Sequence, residues 1–334
     1  MQGSFSIQPP DGFKTMHNSI KPVAIKNAKG KILFGIMHEP QKKQGDTGII
    51  ILSPGIKSRV GPHRLYVKMT TLFNRLGFPV LRADPEGLGD SEGEIDQQFT
   101  ADVYCSIELG LLVPDTIAMM DFMQEKLGIS KFILAGLCGG AITALLASEN
   151  DNRVCGILCL GMTCVLASAN IDLYKYITAQ QLSSIRKKYI KKILNGKAWL
   201  RFITFQSDFK LLVKSLSQPF VKNVKREHAN IDDKGSKIRN GTQIVESNLN
   251  PHFHRAFSRF VMKKKILLIF SGSDRLYWEF EEKYLNNYGN AIEPYRGNFE
   301  IFIVKDANHV FSLKEWQQHM VEKSETWLKE KYLD

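Results

Sequence analysis

Along most of this chain, short apolar runs the length of one strand alternate with longer stretches of helical period, and that alternation restricts the fold more than any other feature. "TGIIILSPG" (Thr47 to Gly55), "FPVLRAD" (Phe78 to Asp84), "KFILAGL" (Lys131 to Leu137) and "RVCGILCLG" (Arg153 to Gly161) are nearly continuous in apolar residues. A strand points successive side chains to opposite faces, so a run without alternation needs cover on both sides. The intervening segments supply that cover. "HRLYVKMTTLFNRLG" sets Leu65, Met69, Leu72 and Leu76 at helical spacing and stops at Gly77; Pro114 to Leu127 stops at Gly128; "GGAITALLASEN" runs from Gly139 to Asn150. With "KILFGIMHEP" (Lys31 to Pro40) as an early strand, the pattern predicts an α/β chain with a mostly parallel sheet flanked by helices.

The alternation stops after Ala167 and resumes at "KKKILLIFSGSD" (Lys263 to Asp274), "NFEIFIVKDANH" (Asn298 to His309) and a helix from Leu313 to about Lys331. A compact sheet does not leave ~90 residues without structure of their own, so the segment between reads as a helical insert. The turn-rich, polar "HANIDDKGSKIRNGTQ" (His228 to Gln243) interrupts it. The expected organisation is a core first part over 1–166, a helical cap over 167–257 and a core second part over 258–334.

With 334 residues, 43% of them hydrophobic, the chain can bury a large core. No run approaches the ~18 to 20 apolar residues that span a bilayer, and "MQGSFSIQPPDGF" (Met1 to Phe13) has neither a cationic start nor an apolar stretch. The expectation is a soluble, cytoplasmic protein. The five cysteines have no paired spacing, which suits a reducing compartment. Cys155 and Cys159, four apart in an apolar run, are expected on one face of a strand as core residues.

The net charge of +11 is uneven: Arg186, Lys187, Lys188, Lys191, Lys192, Lys222, Lys225, Arg226 and Lys263 to Lys265 crowd the insert and its exit. A solvated helix face accounts for it; so does attraction of an anionic substrate, an acyl carrier or a membrane surface. Neither zinc-finger spacing nor an aromatic RNA-binding motif accompanies the charge, so nucleic acid is not indicated.

Between the buried strand ending at Leu137 and the helix starting at Gly139 lies "GLCGG". A sharp strand-to-helix turn needs small residues on both sides of its apex, and Gly136, Gly139 and Gly140 provide them around Cys138. A thiol there would sit at a helix N-terminus, where amide groups favour a thiolate. The same turn also accommodates an inert buried cysteine. Partners decide between the readings: a nucleophilic thiol needs a base, and the base an orienting carboxylate. "LLIFSGSDRLYWEF" places Asp274 just past one strand and "FIVKDANHVFS" places His309 just past the last. Asp306 is expected to shape the turn before His309, Asp115 to sit in the first turn of its helix, and His252 and His254 to be structural.

On these residues the chain resembles the α/β-hydrolases of the serine-aminopeptidase-like group. "GPHRLYVKMTTLFNRLGFPVLRADPEGLGDSEGE" (Gly61 to Glu94), with its D-x-x-G-x-G-x-S segment from Asp84 to Ser91, together with "GLCGG" is similar to hydrolases associated with bacterial exosortase systems. The likeness covers roughly 20–165 and 260–330, and the insert only through "NGKAWLRF" (Asn195 to Phe202). It implies the α/β-hydrolase fold with a helical cap and a triad of Cys138, Asp274 and His309. The reaction it implies is cleavage of an ester or thioester through an acyl-cysteine, without cofactor or metal. Cysteine replaces the commoner serine, as in dienelactone-hydrolase-like members. The oxyanion hole would combine the N–H of Gly139 with that of Gly55 or Ile56 on the loop "SPGIKSRVG". His63 and Arg64 would bind a substrate anion or cap the following helix. Phe202, Phe205, Leu211, Leu212 and Phe220 would line an acyl pocket or pack the cap's own core. Two other functions fit the same residues: acyl transfer from a carrier docked on the basic cap to an amine, thiol or hydroxyl, and a binding protein that has lost turnover.

Overall fold

The computed structural model describes residues 19–95, 100–167 and 248–333, together with the backbone of a two-stranded ribbon at 239–240 and 243–244. Most of the expected cap therefore lies outside the described residues. So do the cap's basic residues up to Arg226, its apolar residues from Phe202 to Phe220 and the chain start at Met1 to Phe13.

Eight strands form one sheet: β1 (Ser19–Lys26), β2 (Ile32–Glu39), β3 (Thr47–Leu52), β4 (Val80–Ala83), β5 (Lys131–Leu137), β6 (Val154–Leu160), β7 (Lys265–Ser271) and β8 (Phe299–Val304). Their spatial order is β1-β2-β4-β3-β5-β6-β7-β8. β2 runs against both of its neighbours, and every pairing from β4 to β8 is parallel.

The unbroken apolar runs have the explanation anticipated for them. Along β3, Ile50 and Leu52 enter one core, with Met119 and Met123 of α3 (Val113–Leu127) and Leu145 of α4 (Gly139–Asn150). Ile49 and Ile51 enter the other, with Tyr66, Met69 and Phe73 of α1 (Leu65–Arg75) and Trp327 of the C-terminal helix at Lys314–Tyr332. Each such side chain removed from water contributes ~1.5 to 3 kcal/mol, so both sheet faces are strongly specified.

A second helix, α2 (Thr100–Glu108), precedes α3. After the insert, α5 (Phe253–Val261) packs Phe253, Ala256, Phe257 and Val261 into the first core, with Phe253 edge-on to Tyr284 at 4.7 Å between ring centroids. α5 thus lies against the sheet while spanning the position at which the sequence expects the cap to end. Helical chain continues from Arg275 to Ile292 as α6 (Arg275–Glu279), a wider-wound stretch and α7 (Asn286–Ile292), and the C-terminal helix is α8.

Contrary to the expectation from their spacing, Cys155 and Cys159 do not share a face: Cys159 lies in the core with α4, whereas Cys155 packs on the side of α8. The β5–β6 register jumps from Phe132↔Val154 to Ile133↔Gly156, so Cys155 is the extra residue of a bulge. A bulge inverts the parity of every residue before it.

Candidate active site

The sheet register aligns Leu52, Gly136, Cys159, Leu268 and Ile301 across five adjacent strands. Beyond that line, at the carboxyl edge, the chain reaches Cys138, Asp274 and His309 in turn.

Cys138 occupies φ 53°, ψ −111°, a conformation that costs a non-glycine residue ~1 to 3 kcal/mol. Hydrogen bonds on both sides hold it there. The Leu137 N–H donates to the buried Tyr66 hydroxyl at 2.8 Å, and the Cys138 N–H donates to the Leu160 carbonyl at 2.9 Å. The glycines are required by close backbone approach. A Cβ on Gly136 would come within 2.5 Å of the Gly140 carbonyl carbon, and one on Gly140 within 2.5 Å of the Leu52 oxygen. One on Gly139 would come within 2.8 Å of the Gly55 Cα. The last contact sets the loop after β3 directly against the N-terminus of α4, where the first N–H groups of a helix have no intrahelical acceptor.

Asp274 is the N-cap of α6. Its Oδ1 accepts the Arg275 N–H at 2.7 Å, leaving Oδ2 2.6 Å from Nδ1 of His309. The two loops are joined by their backbones: Gly272 N–H donates to the Val304 carbonyl and Ser273 N–H to the Ala307 carbonyl. Phe311, fully buried with φ 49°, anchors the far side of the His309 loop, and its carbonyl accepts the Gln317 side chain at 2.8 Å. Asp306, exposed at φ 59°, forms the tight turn expected of it. Burial opposes a charge on His309, but hydrogen bonds to Asp274 and to Cys138, and the negative charge of both, outweigh it and push the imidazole up to about 10. The structure therefore brings together Cys138, His309 and Asp274, with the ring between sulfur and carboxylate.

The loop candidates divide. The Gly55 N–H turns back onto the Ser53 carbonyl at 2.9 Å, while the Ile56 N–H is oriented toward the Tyr104 hydroxyl. His63 and Arg64 sit exposed at φ 51° and 57° on the turn before α1, and no hydrogen bond or ion pair ties either side chain to the described residues. His254 lies away in the α5–α7 packing, stacked on Tyr288 at 4.1 Å between centroids. Asp115 is buried in the first turn of α3, accepting the Glu86 N–H at 2.7 Å and the Asn27 amide at 2.9 Å.

Three contributors stand out only in three dimensions. Tyr66 braces the turn at Cys138. Tyr104, on α2, covers Gly55. Arg59 secures the loop: its N–H and guanidinium both engage the fully buried Asp84, and its guanidinium also reaches Asp90 at 2.6 Å. Gly89 makes room for this pair, since a Cβ there would fall within 2.1 Å of Asp84 Oδ2, and Ser91 Oγ donates to the Asp84 carbonyl at 2.6 Å. The D-x-x-G-x-G-x-S segment thus serves the site by fixing the loop that carries Gly55 and Ile56.

No family model matches the chain, and no curated protein matches it. Solved structures do. An esterase of Pyrococcus furiosus superimposes with a TM-score of 0.55 at 17% identity, covering 98% of this chain and 99% of that one. The α/β hydrolase GrgF from Penicillium sp. sh18 gives 0.52 at 14%, covering 93% and 98%. The esterase domain of a Rhodothermus marinus protein gives 0.50 at 14%, covering 93% and 99%. Sheet order, the strand-to-helix turn at Cys138 and these superpositions agree: the chain has the α/β-hydrolase fold.

Proposed function

We propose that the chain is an acyl hydrolase that cleaves an ester or thioester through Cys138, His309 and Asp274. The observation that carries this reading is the His309 ring held at 2.6 Å by Asp274 while it meets Cys138 at the apex of a strained strand-to-helix turn.

In the resting site the proton resides on His309, and the sulfur attacks the substrate carbonyl carbon as a thiolate. Asp274 accepts the Nδ1–H and fixes the ring so that Nε2 faces the sulfur. The carbonyl π electrons move onto oxygen, beside the Gly139 N–H. As that oxyanion collapses, the bond to the leaving oxygen or sulfur breaks and the His309 imidazolium protonates it, leaving an acyl-cysteine. The now neutral imidazole takes a proton from water, hydroxide adds to the thioester carbon, and expulsion of the Cys138 thiolate releases the carboxylic acid and restores the ion pair. Two structural neighbours are an esterase and an esterase domain, a likeness that supports the reaction class here.

The test is turnover of an activated acyl thioester by Cys138→Ala and His309→Ala. Loss of ~10³-fold or more in each is expected for members of one catalytic unit; turnover at the parent rate by either variant excludes the reading.

A further inference from the structure

The loop after β3 should supply a donor to the developing oxyanion, yet the nearest of its amides is engaged by the backbone. Gly55 N–H is turned onto Ser53, and Ile56 N–H is oriented toward the phenol oxygen of Tyr104. The Tyr104 ring lies so close over Gly55 that a Cβ at that position would come within 2.5 Å of its Cε1 and 3.2 Å of its Cζ. Gly55 in turn lies against Gly139, whose added Cβ would approach the Gly55 nitrogen to 2.9 Å. Gly139, Gly55 and Tyr104 are therefore stacked in successive contact, with the phenol one residue away from the helix N-terminus that follows the nucleophile. Among the described residues, no acceptor takes the phenolic proton.

We propose that the Tyr104 hydroxyl is the second oxyanion donor of this site, its proton directed at the substrate's carbonyl oxygen; this rests on the reading of Cys138 as the nucleophile. Burial, followed by the charges of Cys138 and Glu108, raises the phenol above its usual value against the effect of Ile56 N–H, so the group retains its proton where a donor is needed. Glycine at 55 is then a requirement of the site as well as of the turn: at φ 66° and under the ring, any side chain would displace Tyr104.

Tyr104→Phe keeps the ring over Gly55 and removes only the hydroxyl. The assay is single-turnover release of nitrophenolate from 4-nitrophenyl acetate and butyrate, which reads acylation whatever the later fate of the acyl group. Loss of one oxyanion donor should slow acylation at saturating ester by ~10²-fold, with half-saturation little changed and the thermal midpoint within a degree or two of the parent. Alkylation of Cys138 by iodoacetamide passes through no oxyanion and should keep its parent rate. A loss of less than ~10-fold in acylation, or an equal slowing of acylation and alkylation, overturns the assignment. Cys138→Ala distinguishes a failure of the nucleophile from a failure of Tyr104. If it still releases nitrophenolate at the parent rate, the nucleophile assignment fails and the role of Tyr104 with it; if it is inactive while Tyr104→Phe acylates normally, only Tyr104 is misassigned.

Discussion

The hydroxyl of Tyr66 accepts the backbone N–H of Leu137 at 2.8 Å, joining the first turn of α1 to the last residue before the strained Cys138. Both partners are out of solvent, so the bond has no replacement in water. Tyr66→Phe leaves a buried N–H without an acceptor, a loss of ~1 to 3 kcal/mol. Urea denaturation should register that loss with an unchanged slope. The effect on the site should be larger than the loss of stability suggests, because the released turn no longer presents Cys138 in one orientation. A variant that denatures with the parent midpoint would show that the bond is not a support.

Gly136 and Gly140 should tolerate nothing larger. Their added Cβ atoms would meet backbone at 2.5 Å, and backbone cannot swing aside as a flexible side chain can. Gly136→Ala and Gly140→Ala are each expected to cost ~1 to 3 kcal/mol or more through overpacking. Gly128 provides the control. It has φ 63° at the end of α3 with nothing within 4 Å, so Gly128→Ala pays only the left-handed backbone cost of ~1 to 2 kcal/mol. The discriminating readout is the site: labelling of Cys138 by a thiol reagent should change in the first two variants and stay constant in the third.

The legible parts of this fold were those in which local pattern and tertiary burial coincide. β3, β5 and β6 are covered on both faces, so their apolar runs are unbroken, and α4 follows directly from the glycine turn. The positions of Asp274 and His309 follow from strand ends for the same reason. β1 gave no such signal because it is an edge strand with most of its side chains exposed. The face of Cys155 is not legible in the sequence because a bulge is a property of pairing, invisible in one strand alone. Tyr66, Tyr104 and Arg59 act through partners 71, 49 and 25 positions away at Leu137, Gly55 and Asp84. Periodicity carries no information over such distances.

Arg59 and Asp84 form the strongest polar restraint on the loop. Asp84 is fully buried and Arg59 half-buried, and removing the guanidinium strands the buried carboxylate's charge. Arg59→Met should therefore cost ~3 to 5 kcal/mol, while the double change Arg59→Met with Asp84→Asn should recover a large part of it. A double-mutant cycle by chemical denaturation measures the coupling. Additive losses would mean that the two side chains stabilise the fold independently.

The His309–Asp274 contact fixes a pH dependence with a definite sign. In the folded chain the imidazole is pushed up to about 10 from its ordinary 6.5, burial opposing and the hydrogen bonds to Asp274 and Cys138 prevailing. A group whose pKa is raised by folding binds its proton more tightly in the native state. Its contribution to stability is thus complete below 6.5 and disappears as the pH climbs through about 10. The stability difference between the parent and His309→Gln should be flat in acid and decline across that window. Asp274→Asn removes a hydrogen-bond acceptor and a negative charge, so the His309 titration should move downward, toward 6.5. Nitrogen-15 NMR of the imidazole gives both values directly. A parent His309 that titrates near 6.5 would show that the carboxylate does not hold the proton on the ring, and the resting ion pair assigned to this site would have to be abandoned.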